Sequence, residues 1–173
     1  MNTSMVLFFK IAKLSENSYP TVVPTHFHRI RLNDMAENQT FTMIKPGNLE
    51  NGNAGRIISL ILENGFSIKA MKLIRLSRQL AESFYAEHRG KAFFEPLVEY
   101  MISGPIIVAI LECRNAVEEY RRFIGPTDPA QAAEGTIRNL FGKSVRENAV
   151  HGSDCDESAY REANFFFSML ERC

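Results

Sequence analysis

Six apolar residues in unbroken succession, Ile106-Ile-Val-Ala-Ile-Leu111, follow the helix-breaking triplet Ser103-Gly104-Pro105. A run this short and rich in β-branched side chains, with no polar position in alternation, is a strand buried inside a core. The fold must therefore pair and cover it. Thr40-Phe-Thr-Met-Ile44 alternates and is stopped by Lys45-Pro46-Gly47, and Phe66-Ser-Ile-Lys-Ala-Met-Lys-Leu-Ile74 alternates as well, so both read as strands. Between them Ile57, Ile58, Ile61 and Leu62 recur at helical spacing, and Asn64-Gly65 closes that helix. Ser77 is placed to cap a helix carrying Leu80, Phe84 and Tyr85 along one side up to His88, and a short helix follows over about residues 93–101. Beyond the buried strand, Asn115 caps a helix that turns Val117, Tyr120 and Ile124 inward and leaves Arg121 beside that stripe. Gly125-Pro126-Thr127-Asp128-Pro129 forms a loop, and a helix over 130–141 buries Ala133, Ile137 and Leu140 with Arg138 just off the face. A last strand over 148–150 and a helix over 157–167 complete the chain.

This order predicts an α+β fold, a ferredoxin-like βαββαβ sandwich whose antiparallel sheet is covered on one face by helices. With 173 residues and 45% hydrophobic content there is enough for one domain and an appendage. The domain is expected over 39–173. Residues 1–38 differ in texture, apolar at Met5-Val-Leu-Phe-Phe9 and then polar and proline-punctuated. That stretch is read as a disordered extension or a mis-assigned start with Met35 as the biological one, ahead of a targeting segment, since no small-residue cleavage signature follows the apolar run. His26 and His28 lack the further ligands a metal site needs. The 20 basic and 20 acidic residues cancel, so neither nucleic acid nor membrane is expected as a partner and any anion site must be local. Three cysteines without CxxC spacing suit a reducing cytoplasm, and no stretch approaches the roughly 18 apolar residues that span a bilayer.

The chemistry concentrates in Asn148-Ala-Val-His151-Gly-Ser-Asp154. His151 stands after a short apolar step and before Gly152, which leaves backbone space beside it; Ser153 offers a hydroxyl, and Glu162 lies on the following helix. A carboxylate that holds one ring nitrogen frees the other to attack, whereas a histidine beside a glycine is ordinarily a turn or surface residue.

Taken with Thr40-Phe-Thr-Met-Ile-Lys45-Pro46 and Ser103-Gly104-Pro105, this motif resembles the nucleoside diphosphate kinases in their short bacterial form, co-linearly from about Gln39 to near Cys173. The resemblance implies the same fold and a ping-pong transfer of the terminal phosphate of ATP or another nucleoside triphosphate to a nucleoside diphosphate. His151 would be the nucleophile, Glu162 its orienting partner and Ser153 a support for both. The chain has no GxxxxGK[ST] loop, so basic side chains must hold the phosphates. Lys45, His88, Arg121 and Arg138 fall where the family places phosphate-contacting groups, although any one of them alone is more often a solvated cation. The resemblance further implies Thr127 on phosphate, Asn148 with Lys45 on the sugar hydroxyls, Tyr85 near the nucleophile, and Phe93 stacked on the base, with Phe93 or Phe94 instead a core anchor. Mg2+ carried by the nucleotide, with no direct protein ligand, and a homo-oligomer, hexamer or tetramer, are implied too. Departures from the family pattern are Gly47-Asn48 after the lysine-proline, Ala92 before the paired phenylalanines, Asp128 before Pro129, which adds negative charge near the expected phosphate site, and Cys155 where serine is common. The rival reading is a non-catalytic nucleotide- or nucleic-acid-binding module of the same topology, against which the buried strand carries no aromatic for stacking bases.

Overall fold

The apolar run forms β3 (Ile106–Glu112), an inner strand of a four-stranded sheet ordered β2-β3-β1-β4 in the computed structural model, which describes residues 38–172. β3 pairs antiparallel with β1 (Gln39–Ile44) from Gln39↔Glu112 to Ile44↔Ile107, and with β2 (Ser67–Ile74) from Ser67↔Glu112 to Ile74↔Ile106. β4 (Val150–Gly152) pairs antiparallel with the other side of β1. The helices α1 (Ala54–Glu63) and α4 (Ala116–Ile124) are the two crossovers of the βαββαβ order, and α2 (Arg78–Phe84), α3 (Phe94–Ile102), α5 (Ile137–Phe141) and α6 (Asp156–Phe166) complete it.

Helices lie on both faces rather than one. Ile106, Val108 and Ile110 join Phe41 and Met43 in a core with Ala81, Val98, Met101 and Phe167 from the α2, α3 and α6 side. The intervening Ala109 and Leu111 join Ile57, Ile61, Tyr120, Ile124 and Ile137 from α1, α4 and α5. Successive side chains of a strand point to opposite faces, so a strand apolar at every position requires two cores.

Local chemistry explains where boundaries fell. Asn64 and Gly65, with φ +85° at the glycine, end α1 as expected, and Ser77 Oγ accepts from the Leu80 backbone N–H at 3.2 Å. Ala81 rather than Leu80 is the buried residue of α2. Asn115 is the N-cap residue of α4, but through its backbone alone: it adopts φ 52°, its carbonyl accepts from the Glu119 N–H at 3.0 Å, and its side chain makes no cap hydrogen bond. The helix expected over 130–141 is two short pieces, a 3-10 turn at Pro129–Gln131 and α5, because Ala132 is extended and Gly135 takes φ +85°. Ala133 and Leu140 are therefore exposed, and Arg138 is buried. β4 starts at Val150, not Asn148, since Ala149 has φ 68° and the Val150 N–H reaches the Asn148 carbonyl at 2.8 Å in a γ-turn. The expectations for residues 1–37 lie outside the described residues.

β4 needs its glycine for packing as well as beside the histidine, where Gly152 lines the same cavity. A methyl group at Gly152 would sit 2.9 Å from Tyr120 Cδ1 and 3.1 Å from Ile124 Cδ1. The Tyr120 ring cannot yield, because its hydroxyl lies 2.5 Å from Thr42 Oγ1. Gly152→Ala should therefore destabilise the fold by about 1–3 kcal/mol, read as a lower urea midpoint at unchanged m-value.

Candidate active site

His151 lies opposite Met43 in the β1–β4 register, which sends its side chain to the face occupied by Phe41 and Met43. Phe84 meets the imidazole edge-on at 5.5 Å between centroids and Phe41 lies tilted at 6.0 Å, so the ring is seated by aromatic contacts. Glu162 Oε2 accepts from His151 Nε2 at 2.8 Å and from the Ser153 hydroxyl at 2.7 Å. Glu162 is 6% exposed and Ser153 fully buried, and the Phe41 N–H donates to Ser153 Oγ at 3.3 Å. A carboxylate oxygen accepts, so the ring hydrogen belongs on Nε2 and Nδ1 of the neutral imidazole keeps its lone pair. The backbone is held as firmly. Thr42 Oγ1 donates its single hydrogen to the His151 carbonyl at 2.9 Å, which makes Tyr120 the donor to Thr42.

The imidazole lines a cavity of about 860 Å³, ample for a nucleotide-sized ligand. Lys45, Tyr85, His88, Phe93, Arg121, Thr127, Arg138, Asn148 and Glu162 line the same cavity, so side chains scattered from β1 to α6 come together there. Ser153 lies behind the wall, on Glu162.

Lys45 and Arg138 are held by neutral acceptors. Lys45, at the end of β1, donates from Nζ to Asn148 Oδ1 at 2.7 Å and to the Arg146 carbonyl at 3.3 Å. Asn148 in turn donates to the Thr127 carbonyl at 3.0 Å. Arg138 donates to the carbonyls of Gly125 at 2.9 Å and Val150 at 3.3 Å, and its Nε has no hydrogen-bond partner among the described residues. Burial and the neighbouring Arg138 bring the Lys45 amine down to about 7, and burial with Arg121 beside it brings Arg138 down to about 10. Such a site favours an anionic ligand.

The far wall is aromatic. Phe93 is 50% exposed and faces His88 at 5.4 Å, while Phe94 is 8% exposed within the core, so Phe94 is the core anchor of the pair. His88 stacks on Tyr85 at 6.2 Å. The Tyr85 hydroxyl is buried without a hydrogen-bond partner among the described residues, and burial, then the Glu162 charge, push its pKa well up.

Of the departures noted in the sequence, Asp128 is not among the residues that line the cavity. Its carboxylate accepts from the Ala130 N–H at 3.1 Å and Gln131 Nε2 at 3.2 Å, capping the 3-10 turn. Asn48 ties the two loops of the site together, donating to the carbonyls of Lys45 at 3.4 Å and Ala149 at 3.3 Å. Ala92 is exposed, and the Cys155 thiol donates to Ser158 Oγ at 3.3 Å. Several wall residues escaped sequence reasoning: Arg146, Val145, Glu87 and Asp154 line the cavity, and Phe84 seats the histidine. Arg146 and Val145 stand in a segment without periodicity, where only the basic pair Lys143 and Arg146 just before Asn148 offered a signal.

Comparison with known proteins gives a consistent picture. Residues 38–171 match the family model of nucleoside diphosphate kinase. The chain is 52% identical over 137 residues to the nucleoside diphosphate kinase of Sorangium cellulosum, covering 79% of this chain and 95% of that protein. It is 51% identical to that of Flavobacterium psychrophilum, covering 80% and 99%. Among solved structures, a nucleoside diphosphate kinase from Aquifex aeolicus superposes with a TM-score of 0.77 at 42% identity over 79% of this chain and 99% of that one. A halophilic one from Halobacterium salinarum, in complex with CDP, gives 0.76 at 34% identity over 79% and 91%.

The depressed Lys45 amine has a consequence for stability. An unfolded lysine holds its proton up to its ordinary 10.5, whereas the folded one releases it from about 7, so the unfolded state binds more protons between those values and stability rises with pH. Wild-type protein should therefore gain stability relative to Lys45→Met on going from about pH 7 to about pH 9, measured as urea midpoints at both pH values. Parallel behaviour of the two proteins would contradict this account of Lys45.

Proposed function

The chain belongs to the nucleoside diphosphate kinase family and transfers phosphate between nucleotides, and we propose that residues 39–173 carry the transfer in two half-reactions through one phosphorylated histidine, His151. The observation that supports this most directly is the hydrogen bond from His151 Nε2 to buried Glu162, at 2.8 Å, on the wall of a cavity that also holds Lys45, Arg121 and Arg138. In the first half-reaction the Nδ1 lone pair attacks the terminal phosphorus of a nucleoside triphosphate such as ATP. The bond to the bridging oxygen breaks, and the diphosphate leaves with the electron pair. In the second, a terminal phosphate oxygen of another nucleoside diphosphate attacks the phosphohistidine and the N–P bond breaks back to Nδ1. A neutral imidazole nitrogen has no proton to lose before attack, so no general base is required; Glu162 orients the ring and faces the positive charge it gains.

Lys45, Arg121 and Arg138 meet the charge on the phosphoryl oxygens in flight, joined by His88 and the Thr127 hydroxyl. Tyr85 stands near the nucleophile, Ser153 secures Glu162, and Asn148 with Lys45 takes the sugar hydroxyls, a role their mutual hydrogen bond suits. Phe93 stacks on the base. Mg2+ would be held chiefly by the nucleotide's phosphates. There its charge would ease the approach of a lone pair to an anionic phosphate.

The enzyme is assigned to the cytoplasm, in keeping with free Cys113 and Cys155, and to a homo-oligomer, hexamer or tetramer. Edge strand β2 supports assembly, since it exposes Met71 and Leu73, the latter 61% accessible. No helix among the described residues is long and apolar enough to cross a membrane.

Incubation with radiolabelled ATP should yield an acid-labile, alkali-stable phosphoprotein that any added nucleoside diphosphate discharges. His151→Ala should show neither step, and label persisting on that variant would move the nucleophile elsewhere. A wild-type protein that binds nucleotide without labelling would favour the binding-module alternative. Stacking on Phe93 holds a base without reading its edge, so rates for purine and pyrimidine diphosphates should differ by less than about tenfold, roughly 1.4 kcal/mol; a larger spread in kcat/KM would require base-edge contacts.

A further inference from the structure

Arg161 precedes Glu162 on α6, yet points across to the turn after α2. Both of its terminal nitrogens lie 3.3 Å from Glu87 Oε2, and Nη2 is 3.9 Å from Glu162 Oε1, the carboxylate oxygen that neither His151 nor Ser153 uses. The other Glu87 oxygen lies 3.9 Å from His88 Nε2. A run of polar contacts thus leads from His88 through Glu87, Arg161 and Glu162 to His151, along a wall where four of the five line the cavity. Nothing in the sequence motif points to Arg161 or Glu87, which are separated by 74 positions.

We propose that Arg161 is a positioning residue that ties the nucleotide-side turn bearing Tyr85 and His88 to the carboxylate that orients His151. The role rests on the function proposed above. Glu162 uses one oxygen for two donors, so its other oxygen decides how the carboxylate is rotated, and Arg161 is the cation beside it. Through Glu87 the same guanidinium holds the turn at a fixed distance from α6. Both Arg161 and Glu87 are substantially exposed, and exposed ion pairs contribute little to stability, so removing the bridge should leave the fold standing.

The sign of the Glu87 effect separates this role from simple electrostatics. Deleting a carboxylate from the wall of an anion site should, by charge alone, strengthen nucleotide binding. The bridge demands the opposite. Stopped-flow phosphorylation by ATP should show Glu87→Gln and Arg161→Gln each lowering the second-order rate about three- to tenfold, with the double variant no slower than the slower single one and Arg161→Lys recovering part of the loss. The 15N resonance of His151 Nε2, which reports its bond to Glu162 without any phosphoryl transfer, should shift alike in both single variants. A faster Glu87→Gln enzyme, multiplying losses in the double variant, or a His151 signal unchanged from wild type would overturn the proposal. Failure of wild-type protein to form phosphohistidine would instead strike the assignment of His151, leaving the nitrogen resonance to judge the bridge by itself.

Discussion

A buried carboxylate has to be satisfied, and the way Glu162 is satisfied organises everything around it. One oxygen takes both the His151 Nε2 hydrogen and the Ser153 hydroxyl, and Ser153 is in turn fixed by the Phe41 backbone. Leaving such a group without donors costs several kcal/mol, so the fold must bring α6 and β4 into this single relation. The β1–β4 register does so by placing His151 opposite Met43, on the face that α6 covers. The two cores then act as opposed supports: one seats the imidazole against Phe41 and Phe84, and the other holds the strand beneath it through Tyr120 and Thr42.

The cations obey a complementary constraint. Lys45 and Arg138 are buried and bonded to amide and carbonyl oxygens, while the acid-bearing arginines Arg78, Arg122 and Arg161 stand at the surface in ion pairs. Neutral acceptors orient a cation without cancelling its charge. Mutual repulsion between Lys45, Arg138 and Arg121 is thereby preserved for an anion to relieve, and the lowered pKa values of Lys45 and Arg138 are the signature of that arrangement.

Much of this was legible in the residues. Periodicity located the strands and α1, the apolar continuity of β3 marked it as interior, and Ser77 and Asn64-Gly65 marked helix ends because those effects are local. The motif around His151, with its resemblance to a known family, named side chains that share one cavity although they are dispersed along the chain. What remained hidden depended on contacts distant in sequence. Asp128 was noted for its charge and also caps a 3-10 turn; Arg138 was placed just off an amphipathic stripe and is buried, in a helix shortened by Gly135 from the one that periodicity suggested. The same continuity that identified β3 also implied a second covered face, a consequence that the simple one-layer topology obscured.

The γ-turn at Ala149 separates Asn148 from the strand that carries His151. The Ala149 carbonyl is clamped by the Lys45 N–H at 2.9 Å and the Asn48 side chain, so the span from the Asn148 amide to the His151 imidazole is set by one strained torsion rather than by a pliable loop. Asn148 and His151, which line the same cavity, are thereby held at a spacing that the backbone itself dictates.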